Sequence, residues 1–152
     1  MWKKILVPHD FSSSANQAAA LARDVAKMCG GELVLLHVIE LPFQITPDTV
    51  VTPPGSGAPI SVKQYAENAA AGHLKDLVDR LSKDGVTPKT AVRIGNPVDE
   101  ILRFIDESKS DLTVMGTHGR TGLRHLVIGS VAERVVRHSG PPVLTVRAHE
   151  HH

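Results

Sequence analysis

The chain has 152 residues, of which 41% are hydrophobic and 22% are charged, and its formal net charge is +1 with the histidines neutral. This length and composition predict one globular domain, and the near-zero charge gives no electrostatic argument for a nucleic-acid or membrane partner. The single cysteine, Cys29, excludes an intramolecular disulfide, and the lack of a bilayer-spanning run or a signal-peptide pattern makes the cytoplasm the expected location.

Short apolar runs alternate with segments of helical spacing along the chain. The predicted strands are Ile5–Val7, Glu32–Ile39, Lys89–Ile94, Asp111–Met115 and Val143–Val146. The predicted helices run from about Ser13 to Met28, from about Val62 to Lys83, from Val98 to Ser108 and from near Ser130 to His138. This alternation predicts an α/β fold with a doubly wound, five-stranded parallel sheet and helices on both faces.

Ligands of such sheets bind beyond the carboxyl ends of the strands, at the point where the strand order reverses. If the order is 3-2-1-4-5, the first and fourth strands flank that point. Their carboxyl ends, Pro8-His9-Asp10 and Met115-Gly116, then lie on the same rim of the sheet. This convergence favours a ligand the size of a nucleotide.

Residues 42–60 interrupt the alternation. Five of the ten prolines lie there, and neither a helical nor a strand period is present. A loop of this length in a compact domain is either functional or disordered. A lid, a partner-binding arm and a merely flexible crossover are the alternatives.

The stretch from Gly116 to Ser130 places two glycines, nine residues and then Gly-Ser between a predicted strand and a predicted helix. The glycines are Gly116, Gly119 and Gly129, and Arg120 lies inside the loop. Glycine lets main-chain N–H groups approach an anion, and a helix N-terminus adds unpaired donors and the positive end of the macrodipole. The spacing predicts a phosphate site, although it is neither the P-loop nor the dinucleotide-binding pattern. A turn followed by Ser130 as helix cap is the structural alternative.

Three segments, residues 3–13, 114–137 and 140–147, resemble the universal stress protein family. The pattern Gly-x-x-Gly, nine residues, Gly-Ser is similar to that of the ATP-binding branch of this family. The resemblance covers almost the whole chain, so residues 1–148 are expected to form one universal stress protein domain and the His-rich residues 149–152 a disordered tail. It implies the strand order 3-2-1-4-5 and a homodimer joined through the last strand.

The resemblance also implies a role for each motif residue. Gly116, Gly119, Gly129 and Ser130 are expected to hold the phosphates, and Arg120 to add positive charge. Asp10 is expected near the ribose and a divalent cation, Mg²⁺ or Mn²⁺. The alternative for Asp10 is to cap the first helix, a role that Ser12 or Ser13 could take instead.

The remaining expected contacts lie on the adenine side. Pro8 and His9 are expected to line the adenine and ribose, although relatives more often carry a small hydroxyl residue at position 9. Val38 is expected to offer its main-chain groups to the adenine edge, and Met115 to line the adenine pocket or simply the core.

Three further histidines receive structural interpretations. His37 is interpreted as a strand residue whose polar atoms are satisfied inside the fold. His118 and His125 are interpreted as surface loop residues close to the phosphates, without an identifiable acid–base partner in the sequence.

The most favoured function is that of an adenine-nucleotide (ATP) binding module that senses or regulates in a stress response, with at most slow ATP hydrolysis. A slow ATPase is one alternative, although no residue of the loop clearly fills the role of a catalytic base, which disfavours a dedicated catalyst. A nucleotide-free dimer that recruits a protein partner is the other. No nucleic-acid or membrane partner is expected.

Overall fold

The computed structural model describes residues 1–82, 85–118 and 128–148, and parallel strands form its centre. The elements in chain order are β1 (Lys4–Pro8), α1 (Ser13–Cys29), β2 (Glu32–Ile39), β3 (Val50–Val51), β4 (Ile60–Ser61), α2 (Val62–Leu81), β5 (Lys89–Ile94), α3 (Pro97–Ser108), β6 (Leu112–Gly116), α4 (Ser130–His138) and β7 (Val143–Val146). The central sheet has the order β5-β2-β1-β6-β7, with all its pairs parallel. Counted over these five strands alone, the order is 3-2-1-4-5, as predicted.

Helices cover both faces of this sheet, which explains why its inner strands are almost continuously apolar. Successive side chains of a strand point to opposite faces, so Ile5 and Val7 pack with α1 and α2 while Leu6 packs with α3 and α4. All three side chains are completely buried. The predicted doubly wound arrangement is therefore confirmed.

Capping residues set the helix ends. Ser12 caps α1, its hydroxyl accepting from Ala15 N, and Gly30 ends that helix in the left-handed conformation at φ 65°. Asn96 caps α3, which begins at Pro97, one residue before the predicted start and in line with the expectation that Asn96-Pro97 leads into this helix. Proline suits this position because its missing N–H would be unpaired there in any case.

The proline-rich segment between β2 and α2 contains a short antiparallel pair. β3 and β4 join Val50 to Ser61 and Val51 to Ile60. The interpretation of residues 42–60 as free of strand was wrong here, because a two-residue ladder is too short to leave a period in the sequence. The N–H of Val62 also donates to the carbonyl of Thr49, which ties the segment to the start of α2.

Some predictions fall on residues without a described structure. Lys83, the predicted end of the second long helix, is one, and α2 ends at Leu81. The predicted tail at 149–152 also lies outside the described residues. Within the described part of the chain, no helix is both long enough and apolar enough to cross a membrane.

Candidate functional site

A cavity of about 200 Å³ lies at the carboxyl edge of the sheet, beside the ends of β1 and β6. Eight of the ten residues predicted for a nucleotide site line it: Pro8, His9, Asp10, Val38, Met115, Gly116, Gly129 and Ser130. The other two, Gly119 and Arg120, lie outside the described residues, as do Arg124 and His125. The fold thus brings the two predicted halves of the site together, while their roles toward a ligand stay predictions.

The cavity exists because β1 ends earlier than its neighbour β2. Pro8 pairs with Leu36, and the N–H of His9 donates to the carbonyl of Leu36 at 2.8 Å. The carbonyl of Ile39 accepts from Gly95 on the opposite, β5 side. The main-chain groups of successive residues alternate between the two sides of a strand. Those of Leu36 face β1 and those of Ile39 face β5, so those of Val38 face the β1 side, beyond the point where β1 ends. Val38 therefore lines the cavity with a main-chain donor and acceptor.

His9 is a fixed wall of this cavity. Its Nδ1 accepts from Phe11 N at 2.9 Å, so the neutral ring carries its proton on Nε2, which donates to Asn16 Oδ1 at 3.0 Å. Burial lowers the pKa of His9 from 6.5 to about 4, although the Asn16 hydrogen bond opposes this shift. Both ring nitrogens of His9 are engaged by the protein.

The turn after His9 depends on an aromatic cluster. Phe11 adopts φ 65°, a left-handed conformation that is rare for a bulky residue. Its ring packs against His37, His73 and His9, with centroids 4.5, 5.2 and 5.4 Å away. His37 Nδ1 also contacts the carbonyl oxygen of His9 at 2.8 Å, in line with its interpretation as a residue satisfied inside the fold.

Asp10 does not cap the first helix. Ser12 takes that role, and Asp10 Oδ1 accepts instead from the N–H of Ser12 at 3.0 Å. This hydrogen bond spans two residues, a local turn that Asp favours. The alternative in which Asp10 is the helix cap was therefore wrong, and its carboxylate is placed at the cavity wall.

The N-terminus of α4 also lies at the cavity, and no side chain of the described residues caps it. The carbonyl of Gly129 accepts from Glu133 N, so Gly129 is the cap residue and the interpretation of Ser130 as the cap was wrong. Gly129 itself donates to the carbonyl of Thr117. The first-turn N–H groups of Ser130, Val131 and Ala132 have no acceptor within the helix, and all three residues line the cavity. Such a helix end attracts an anion.

Gly116 is needed for packing. A Cβ at this position would lie 2.2 Å from Ser14 Oγ and 2.8 Å from the Ser14 carbonyl carbon. Ser14 is buried in α1, and its hydroxyl donates to the carbonyl of Val146. The close approach that requires glycine here is therefore that of helix α1, a reason the sequence did not indicate.

Several lining residues were missing from the predicted set. Pro97 and Ile101 of α3 line the cavity, and nothing in the sequence marked them as site residues. Thr117 also lines it, although its place inside the glycine motif could have indicated it, and so does His118, which was interpreted as a loop residue close to the phosphates. His118 is half-buried rather than fully exposed. Met115 is 5% exposed and both packs in the core and lines the cavity.

Comparison with known proteins places this geometry in context. The sequence profile of the Universal stress protein family matches residues 1–147. Universal stress protein MJ0531 of Methanocaldococcus jannaschii is 34% identical over 148 residues, covering 97% of this chain and 83% of the relative. Universal stress protein MJ0577 of that organism is 31% identical over 155 residues, covering 97% and 96%.

Solved structures agree with this match. A structure of MJ0577 superposes with a TM-score of 0.79 at 27% identity and covers 99% of both chains. A crystal structure of a universal stress protein in complex with cAMP superposes with a TM-score of 0.71 at 23% identity, covering 97% of this chain and 99% of the other. The second likeness shows the shared fold alone.

Proposed function

The chain belongs to the universal stress protein family, and on that premise we propose that it binds an adenine nucleotide, ATP, as a sensing or regulatory module of a stress response. One observation carries the proposal: the N-terminus of α4, which no described side chain caps, and the main-chain groups of Val38 line the same cavity. The first suits a phosphate and the second suits the edge of a base. The expected cytoplasmic location is part of the same proposal.

Val38 would recognise the base. Its carbonyl accepts a hydrogen bond and its N–H donates one, which complements the amino group and ring nitrogen that adenine presents on one edge. Guanine presents the reverse order of acceptor and donor there, so both hydrogen bonds would be lost. Buried polar groups left unpaired in this way discriminate strongly between ligands. The site should therefore prefer ATP over GTP by about 100-fold or more.

The phosphates would lie at the first turn of α4. Ser130, Val131 and Ala132 supply main-chain donors there, and the helix dipole adds favourable charge. Gly129 would keep the approach open because it has no side chain. The motif residues Gly119 and Arg120 are part of this proposal through the family resemblance.

Asp10 would hold the divalent cation, Mg²⁺ or Mn²⁺, that accompanies the nucleotide. Its carboxylate lines the cavity, and carboxylate oxygens are the ligands that these hard cations prefer. Among the described residues, no group of three His, Cys, Asp or Glu side chains is placed to hold a metal. A single protein carboxylate, that of Asp10, suits a cation whose other ligands are phosphate oxygens and water. The cation would neutralise charge on the phosphates.

Any hydrolysis by this site would be slow. His9, the buried imidazole at the cavity, is held neutral with both ring nitrogens engaged, which leaves it unsuited to take a proton from water. Asp10 is assigned to the cation. A slow ATPase remains the enzymatic alternative to the binding module.

The protein would act as a homodimer through β7. This strand ends the sheet and pairs with β6 on one side, and no strand of the described residues pairs with its other edge. Leu144 of β7 and Val136 of α4 are 40% and 45% exposed and offer apolar area for such an interface. A dimer that recruits a protein partner without nucleotide is the remaining alternative.

The first experiment is to identify the nucleotide that co-purifies with the protein. Protein purified without added ligand is denatured, and the released nucleotide is identified by mass spectrometry; empty protein is titrated with Mg·ATP and Mg·GTP by calorimetry. ATP at near one equivalent per chain, or ATP binding far tighter than GTP, supports the proposal. Co-purified ADP would favour the slow ATPase. An empty site that also fails to take up Mg·ATP would favour the partner-recruiting dimer.

A further inference from the structure

The proline-rich segment between β2 and α2 is held in shape by its own main chain. The N–H of Thr49 donates to the carbonyl of Thr46 at 3.1 Å and closes a turn. The N–H of Lys63, in the first turn of α2, donates to the carbonyl of Pro47 at 3.0 Å. The ladder between β3 and β4 ties the middle of the segment to its end. These bonds give residues 40–61, hereafter the arm, a defined shape, unlike a merely flexible crossover.

Strand β3 has an outer edge on the side away from β4, and no strand of the described residues pairs with it. Across the ladder, the N–H of Val62 donates to the carbonyl of Thr49. Hydrogen-bonded and non-hydrogen-bonded pairs alternate in an antiparallel ladder, so the next pair, Val50 and Ser61, is not hydrogen-bonded. The main-chain N–H and carbonyl of Val50 therefore point away from β4, and no described residue forms a hydrogen bond with them.

The outer edge of β3 is open to solvent and apolar. Val50 is 67% exposed, and residues 42–50 are all exposed, among them Phe43 at 92%. An exposed strand edge with apolar side chains is a template to which another strand can add. Pro47 and Pro53 lie three residues to either side of Val50 and have no N–H to donate. The edge therefore suits a short added strand.

The charge of the arm favours a basic partner over a second copy of this chain. Neither lysine nor arginine occurs between Lys27 and Lys63, whereas the arm carries Glu40 and Asp48, both exposed. No described residue forms an ion pair with either carboxylate. Pairing of β3 with β3 of a second copy would bring like charges together, which is unfavourable. A basic segment would meet opposite charge instead.

We infer that the arm binds a short extended segment of a partner protein that carries both apolar and basic side chains. The segment would add to β3 as a further strand, exchanging hydrogen bonds with the N–H and carbonyl of Val50. Its apolar side chains would pack beside Val50, and Glu40 and Asp48 would attract its lysines or arginines. None of residues 40–61 lines the nucleotide cavity, so this binding does not depend on the proposed function.

Fluorescence anisotropy with two labelled hexapeptides tests the inference on the whole protein. One peptide alternates valine with lysine and the other alternates valine with glutamate. We expect the valine–lysine peptide to bind about 10-fold or more tightly than the valine–glutamate peptide. Asp48→Lys should reduce this preference, whereas Asp76→Lys, at an exposed carboxylate of α2, is the matched control and should keep it.

The main-chain contact is tested at Val50. Val50→Pro removes the N–H on the outer edge, and proline is tolerated on edge strands. We expect it to bind the valine–lysine peptide about 3- to 10-fold more weakly. Val50→Thr keeps both the N–H and the branched shape, so it should bind within about 3-fold of the wild type.

Equal affinity for the two peptides would overturn the basic partner, and equal binding by Val50→Pro and Val50→Thr would overturn strand addition. If Val50→Pro does not fold, a valine–lysine peptide N-methylated at alternate residues decides, since it should bind about 3- to 10-fold more weakly than the unmodified peptide. A wild-type dimer that Val50→Pro dissociates would make a second copy of the chain the occupant. A wild type that binds neither peptide would overturn the inference and leave the nucleotide site in place.

Discussion

His9 Nε2 donates to Asn16 Oδ1 across 3.0 Å, which joins the end of β1 to the first turns of α1. Together with the bond from Phe11 N to His9 Nδ1, it holds the loop that carries Asp10 to the cavity. The ring does this only in its neutral form, because protonation of Nδ1 would remove the acceptor for Phe11 N–H. The geometry of the site is therefore coupled to the protonation state of a buried histidine.

This coupling predicts that the protein loses stability in mild acid. The pKa of His9 is about 4 in the folded protein against 6.5 for the free side chain. The unfolded chain therefore binds more protons between these values, so stability falls as the pH drops from about 6.5 to about 4 and levels off below. At about 1.4 kcal/mol per pKa unit, the difference corresponds to roughly 3 kcal/mol.

Urea unfolding between pH 4 and pH 8 measures this dependence. His9→Asn should be less stable at neutral pH, and its stability should depend less on pH across the window. The matched control is His138→Asn, an exposed position that should keep the wild-type profile. If the stability of His9→Asn falls with pH as steeply as that of the wild type, the pH dependence does not come from His9.

Thr113 provides a prediction of increased stability. It is completely buried in β6, and its Oγ1 has no hydrogen-bond partner among the described residues. Valine has nearly the same shape and no hydroxyl, so Thr113→Val should raise the free energy of unfolding by about 1 kcal/mol. Thr90→Val, at an exposed position of β5, should change it by less than about 0.5 kcal/mol. A destabilised Thr113→Val would mean that the hydroxyl does have a partner.

Replacing glycine by alanine should have opposite effects on stability at positions 116 and 72. At position 116 a Cβ would lie 2.8 Å from the backbone of Ser14, so Gly116→Ala must displace α1 and should cost about 1–3 kcal/mol of stability. At position 72, inside α2, a Cβ would meet nothing within 4 Å. Gly72→Ala should therefore stabilise the protein by about 1 kcal/mol, because alanine is the better helix former. Thermal and urea unfolding of the two variants compare them directly.

The sequence predicted most of the fold and part of the site. The doubly wound pattern was visible because buried strands such as β2 are almost continuously apolar, and the family resemblance implied the strand order. The Val50–Val51 pair was missed because two residues show no period. The packing role of Gly116 and the helix cap at Gly129 depend on which element lies against each glycine, and that is a tertiary property.

A substitution at Gly129 should weaken nucleotide binding without unfolding the protein. At Gly129 the φ of −58° and ψ of 156° are accessible to any residue, so Gly129→Val should fold, at a cost of about 1 kcal/mol because valine is a poorer N-cap residue. The new side chain would stand at the helix end where the phosphates are proposed to bind. We expect ATP affinity to fall on the order of 10-fold or more, with thermal unfolding close to that of the wild type. Unchanged affinity in calorimetry would remove Gly129 from the phosphate site.

The proposed dimer can be tested at one exposed leucine. Leu144 is 40% exposed and belongs to β7, whose outer edge pairs with no strand in the part of the chain that the structure describes. A charge there would be buried on association at a substantial cost, so Leu144→Asp should shift the protein from dimer to monomer in size-exclusion chromatography with light scattering. Tyr65→Asp is the matched control, because Tyr65 lies in α2 and is 46% exposed. If both variants are dimers, the interface lies elsewhere. If the wild type is a monomer, the proposed dimer is excluded, because edge pairing and apolar contact would then be too weak to offset the cost of association.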